Sequence, residues 1–321
     1  MKLLPLLLLA VSLAAGAQAQ GKLPRLCFLA FEANAATADR FKPFFDGLRD
    51  VGYVDGRTIT IDARTADSDP RRYPALAAEC VANHADIIVV ATTPAAQAAM
   101  KATATIPIVM HPLADPVGTG LIKSLARPGG NVTGLSFMGP ALSAKRLDLL
   151  KQALPTITRV LLLTHLADPI APLQVAETRK AAERLGIRLV VHDVRVVDDI
   201  GRGLAAGAKE GVEAVMTTSE SIFVANRAHL VALAAAQRLP SMGVQHLYAE
   251  AGMLLSFGVD YSVFSRRTGM YVDRILKGAK PADLPVEQPT RFELVVNQKV
   301  AKSLGIRFPE SFMLQVDRVI E

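Results

Sequence analysis

Residues 86 to 91 read Asp-Ile-Ile-Val-Val-Ala, a short run that is apolar at nearly every position instead of at every second one. A strand of that kind is buried on both faces, and a parallel sheet covered by helices on both sides provides such an environment. The neighbouring segments fit the same layout. Leu26 to Phe31 predicts a first strand, and Arg40 to Val51 a helix with Phe41, Phe44, Phe45 and Leu48 along one stripe, stopped at Gly52. A strand over Thr58 to Ala63 and a helix over Tyr73 to Val81 follow. Beyond the apolar run come a helix near Pro94 to Ala102, a strand over Ile106 to Met110, a helix near Val117 to Leu125 and a strand over Asn131 to Ser136.

The pattern then restarts. Arg159 to Thr164, Arg188 to Val191, Ala214 to Thr218, Ser241 to Val244 and Leu254 to Phe257 predict strands. Helices are expected over Leu173 to Leu185, ended by Gly186, and over Arg227 to Arg238. Asp86 to Met110 and Glu213 to Gly243 share one plan: an apolar strand, two adjacent threonines, a helix, and an aliphatic-Pro step into the next strand. Two lobes of similar design are therefore expected.

The first twenty residues read as an address. Lys2 precedes a Leu/Ala-rich run, Leu3 to Ala15, which is too short to cross a hydrocarbon core of about 30 Å; Ala17 and Ala19 then fit a cleavage site after Ala19. No Cys stands at a lipobox position, so the expectation is a free periplasmic protein. Export would permit a disulfide between Cys27 and Cys80, but two buried free thiols are the expected state, since sequence cannot show the Cα approach a bond requires. The 36 Lys and Arg against 30 Asp and Glu give a net charge of +6, without a basic run that would mark a nucleic-acid footprint. The nucleophile-elbow, zincin, Walker and Cys-x-x-Cys constellations are absent, so neither an enzyme nor a cofactor is expected. Asn131-Val132-Thr133 matches a glycosylation acceptor but falls in a predicted strand.

In open α/β sheets ligands lie beyond the carboxyl ends of the strands, where helix N-termini present unpaired N–H groups and positive dipole ends. Thr92, Thr93, Pro94 and Ala95 follow the third strand and suit a carboxylate, with Thr93 otherwise serving as a helix cap. His111 and Asp115 follow the fourth strand, and Asp115 either meets a ligand amine or caps a turn. From the second lobe, Ser219 and Glu220 follow one strand and Gln245, with His246 and Tyr248, another. Gly258, Asp260 and Tyr261 form a hinge or wall. Glu220 is the acid best placed to meet a cation from across the cleft.

Longer runs carry a resemblance. Ile106-Pro107-Ile108-Val109 with Asp115-Pro116-Val117-Gly118, then Ser124-Leu125-Ala126-Arg127-Pro128-Gly129-Gly130-Asn131-Val132-Thr133-Gly134, looks like the signature of a bacterial ABC-transporter substrate-binding family that includes tryptophan- and tyrosine-type binding components. Leu276-Lys277-Gly278-Ala279-Lys280-Pro281 and Phe292-Glu293-Leu294-Val295-Val296-Asn297 add to it. The resemblance implies an α/β fold of the periplasmic-binding-protein type I, or Venus-flytrap, kind: two Rossmann-like three-layer lobes with parallel sheets, joined by crossover hinges. It further implies a first lobe over residues 21–137 plus 262–280, a second over 138–261, and a tail over 281–321 that packs back across the lobes. The implied function is capture of a small zwitterionic or carboxylate solute between the lobes by a monomer. A cognate ABC permease in the inner membrane would be its partner. A periplasmic sensor that presents the solute to a membrane receptor is the alternative.

Overall fold

The structure is a computed structural model that describes residues 22–321; the expected export segment, 1–19, lies outside the described residues. The chain opens with β1 (Arg25–Ala30), α1 (Lys42–Asp50), β2 (Thr60–Thr65), α2 (Tyr73–Ala82), β3 (Ile87–Val90), α3 (Thr93–Ala102), β4 (Ile108–Leu113) and β5 (Val132–Ser136). These strands form one sheet in the order β2-β1-β3-β4-β5, with every pairing parallel. Period-two alternation divides its side chains between two helix layers. Leu26, Phe28, Ile87 and Val89 face α1, whereas Leu29, Ile88 and Val90 face α2 and α3.

The second unit comprises α4 (Gly139–Ala153), β6 (Arg159–Thr164), α5 (Ala171–Leu185), β7 (Arg188–Asp193), α6 (Asp199–Lys209), β8 (Ala214–Thr217), α7 (Ser221–Ala225), α8 (Arg227–Ala236), β9 (Ser241–Gly243), α9 (His246–Ala251) and β10 (Leu255–Val259). Its strands run β7-β6-β8-β9-β10, the strand order of the first sheet repeated. The chain then returns to the first unit with α10 (Tyr261–Arg266) and α11 (Thr268–Leu276). These helices seat tightly on α1, because a Cβ on Gly47 would stand 2.1 Å from the Arg266 carbonyl oxygen and one on Gly269 2.5 Å from that of Gly47. The last elements are β11 (Phe292–Asn297), α12 (Gln298–Leu304), α13 (Glu310–Met313) and β12 (Arg318–Ile320).

The five strands of the second unit pair parallel, as expected, and the tail adds to their sheet, since β11 pairs antiparallel to β10 and β12 extends it parallel to β11. Two expectations need correction. No helix forms over Val117 to Leu125. Gly120, at φ +73°, interrupts the segment, and the Asp115 carboxylate accepts from the Gly118 N–H at 2.8 Å to close a turn. Cys27 and Cys80 are joined in a disulfide with a Cα separation of 5.8 Å, because Cys27 lies on the β1 face that packs on α2.

The chain passes between the units three times, near residues 137–139, 259–261 and 288–291. Before the last passage, Thr133 donates to the Leu284 carbonyl at 2.7 Å and the Ser136 N–H to that of Glu287 at 2.9 Å, tying the returning strand to the first sheet. The two units also exchange apolar side chains. Phe31, just past β1, sits in the core of the second unit with Leu161, Phe223 and Val224, while Ile170 and Leu173 pack into that of the first. Among the described residues, no helix is long and apolar enough to cross a membrane.

The disulfide closes a loop of 53 residues between β1 and α2. Replacing both cysteines with alanine should lower the unfolding free energy by about 2–4 kcal/mol. Urea denaturation measures this, and an unchanged midpoint and slope would show that the two sulfurs are not bonded.

Candidate ligand-binding cleft

Both sheets have the strand order in which the chain reverses direction between the first and third strands, and the crevice at that point is where such folds bind ligands. The ends of β1 and β3 in one unit meet the ends of β6 and β8 in the other. Two small contiguous cavities lie at the seam and share Ala91, Pro112, Phe137, Ser219 and Ser221 as walls.

The smaller cavity, about 30 Å³, is lined by Thr92 and Thr93 from the first unit and by Asp168 and Glu220 from the second. Thr92 is the N-cap of α3, its hydroxyl accepting from the Ala95 N–H at 3.1 Å, so the positive end of that helix points into the seam. Glu220 is 3% exposed. Its carboxylate accepts from the Gln174 amide at 3.1 Å and from the Thr218 hydroxyl. Gln174 is the organiser. Its carbonyl oxygen accepts from the Ser143 hydroxyl at 3.0 Å and from the Ser219 hydroxyl at 2.9 Å, which fastens α4, α5 and the β8–α7 turn together. Asp168 accepts from the Ile170 N–H at 3.1 Å. Among the described residues, no Lys, Arg or His nitrogen lies in ion-pair contact with Asp168 or Glu220. Burial, and secondarily the nearby Asp168, pushes the Glu220 carboxyl up to about 8, and burial raises Asp168 to about 6.

The larger cavity, about 50 Å³, is walled by Arg40, Phe41, His111, Phe137, Arg146 and Tyr261, with Gln245 beside them. Arg146 is buried on α4, where it donates to the Phe257 carbonyl at 2.7 Å and to that of Val244 at 3.2 Å. Gly258 makes room for this. A Cβ there would stand 2.0 Å from the Val244 oxygen. Burial lowers the Arg146 guanidinium to about 10, which leaves it charged at neutral pH. His111 packs at a steep tilt against Phe41 and Phe44, its ring nitrogens engaging Thr268 and Ser265 at 3.3 Å. Burial, and then Arg40, lowers it to about 3, so the ring is neutral.

Of the residues singled out from the sequence, Thr92, Thr93, His111, Ser219, Glu220, Gln245 and Tyr261 are brought together at the seam. Pro94 and Ala95 form the first turn of α3 without lining either cavity, and Thr92, not Thr93, is the cap. Asp115 lies outside both walls and spends its carboxylate on the Gly118 turn. Tyr248 points into the core beneath β9. Arg40, Phe41, Phe137, Arg146 and Asp168 were not anticipated. The strand order directs attention to the segments after β1 and β6, and so to Arg40 and Asp168. Arg146 sits on a helix whose buried face is part polar.

A family model described as "ABC transporter substrate binding protein" matches residues 30–320. The chain belongs to that family. The "Tyrosine-binding protein" of Clostridioides difficile (strain R20291) is 27% identical over 267 residues, spanning 83% of this chain and 76% of that protein. Among solved structures, a conserved domain protein from Vibrio cholerae is 29% identical with a TM-score of 0.86 and covers 93% of this chain and 100% of that one. An ABC domain from Streptococcus pneumonia in complex with L-Trp is also 29% identical, with a TM-score of 0.85 and the same coverage. The family is one of substrate-binding proteins, and the two doubly wound units are the lobes of the type I fold.

The two raised carboxyl groups link stability to pH. In the folded binding protein Glu220 retains its proton to about pH 8, whereas in the unfolded chain it ionises near 4.5, so the folded state binds more protons between those values. Its contribution is therefore fully present below about pH 4.5 and is lost as pH rises toward 8, with a limiting slope of about 1.4 kcal/mol per pH unit. Asp168 acts likewise between 3.8 and about 6. Glu220→Gln should gain on the wild type as pH rises from 5 to 8 in ligand-free denaturation series. A stability difference independent of pH would show that Glu220 is ionised in the fold.

Proposed function

We propose that this chain is the exported solute-capturing component of an ABC importer, closing its lobes on a small zwitterionic ligand of the amino-acid class and delivering it to an inner-membrane permease. The observation that carries this reading is the pair of buried carboxyl groups, Asp168 and Glu220, at the seam without a cation and opposite the N-terminus of α3. An ammonium group supplies the missing charge, and a carboxylate on the same carbon meets Thr92, Thr93 and the helix end. The tyrosine-binding and L-Trp-bound relatives support the amino-acid class.

In this reading residues 21–137 with 262–280 move as one lobe and 138–261 as the other, while 281–321 crosses between them and completes the second sheet. Ligand drives closure by binding the closed arrangement better than the open one. The seam cavities, about 50 and 30 Å³, are far smaller than the ~300 Å³ of ordinary ligand pockets, so entry requires the lobes to part. Residues 1–19 act as the export signal, and the protein works in the periplasm as a monomer.

Calorimetric titration of ligand-stripped protein with L-amino acids should find one bound per chain. Glu220→Gln should weaken that binding by roughly 30-fold or more, the cost of truncating one partner of a buried charge pair. Failure of every amino acid to bind to folded protein would overturn the reading. Ionisation of Glu220 on binding has a further signature. Its neighbours are Asp168, His165, Thr218, Gln174, Tyr248 and Arg146, and Asp168 is the nearby acid that raises it. Affinity should therefore rise from pH 6 to 8 in the wild type, and rise less in Glu220→Gln.

A further inference from the structure

The larger cavity is lined by two guanidinium groups, each with one nitrogen that the fold leaves without a partner. Arg146 is 1% exposed, and its Nε and Nη2 serve the carbonyls of Phe257 and Val244, but its Nη1 has no partner. From the opposite lobe, Arg40 reaches the same cavity with its guanidinium 4.3 Å from the Phe41 ring centroid. Its Nη2 donates to Glu32, and its buried Nε has no partner. An unsatisfied buried donor on a charged group costs more than one on a neutral group, and two side chains that carry such donors line the same cavity, where an acceptor could arrive with the ligand.

The α-amino and α-carboxylate groups of an amino acid share one carbon, so both must lie in one place. On the reading proposed above, that place is the smaller cavity, between Asp168 and Glu220 and the cap of α3. The side chain then extends past the shared walls, Phe137 and Pro112, into the larger cavity. We infer that the ligand is an α-amino acid whose side chain ends in a hydrogen-bond acceptor, a phenol oxygen, a carboxylate or an amide carbonyl, received by Arg146 Nη1 and Arg40 Nε. Phe41, Phe137 and Tyr261 flank the path, which suits a planar group between the α-carbon and the acceptor. Arg146 and Arg40 thus set specificity, whereas Glu220 and Asp168 set class.

Calorimetric titration of the full-length processed protein with each of the twenty standard L-amino acids tests this. The tightest binder should bear a terminal side-chain acceptor and exceed its acceptor-free counterpart by at least tenfold: tyrosine over phenylalanine, or glutamate or glutamine over methionine. The first result identifies a phenol and the second a carboxylate or amide. In Arg40→Met that ratio should fall to within threefold. Arg146→Met should do the same if it folds, as judged by circular dichroism. A tightest binder without a side-chain acceptor, such as tryptophan, leucine or lysine, overturns the inference and leaves the zwitterion reading standing. Binding by no amino acid overturns both.

Discussion

Two carboxyl groups without a cation, buried where the lobes meet, are the constraint around which the rest of the cleft is arranged. A buried acid is tolerated only when its charge is removed or matched, and at Glu220 it is removed. The Gln174 amide donates to one oxygen of Glu220 and the Thr218 hydroxyl pairs with the other, while burial and the neighbouring Asp168 keep the group protonated near neutral pH. On the proposed reading that arrangement is stable enough to fold and an entering ammonium ion replaces it with a stronger one. The price of holding the site ready is thus carried by the ligand-free protein.

The same seam also joins the two apolar cores. Phe31 from one lobe and Ile170 from the other each complete the opposite core, so parting the lobes exposes apolar surface on both sides. The chain crosses near residues 137–139, 259–261 and 288–291, and Met138 begins α4 in a left-handed conformation, at φ +60°. Arg146 holds the end of β10 at one of these crossings and lines the cavity as well, so that on the proposed reading hinge geometry and ligand recognition meet on one side chain.

Much of the fold was legible in the sequence. β6 occupies Arg159–Thr164 as its apolar run predicts, and the repeated plan of two threonines after an apolar strand corresponds to the repeated strand order of the two sheets. The losses have physical causes. α4 is hard to read from the sequence because Ser143 and Arg146 stand on its buried face among leucines, polar where the helix borders the cleft. α6 was obscured by Gly201, Gly203 and Gly207. β11 follows a long return segment and pairs antiparallel, which alternation of strand and helix does not foretell. Glu220 and the threonines could be named because they directly follow strong strands. Arg40 and Asp168 follow the first strand of each lobe at some distance, and only the strand order singles out those segments.

On the proposed reading Glu220 is a protonated acid in the empty cleft and a carboxylate when the ligand's ammonium is beside it. Difference infrared spectroscopy at pH 7, with the bound amino acid added to stripped protein, reads this directly. The account predicts loss of a protonated-carboxyl band and gain of carboxylate absorbance, both missing in Glu220→Gln. An unchanged carboxyl region on saturation of the wild type would contradict it.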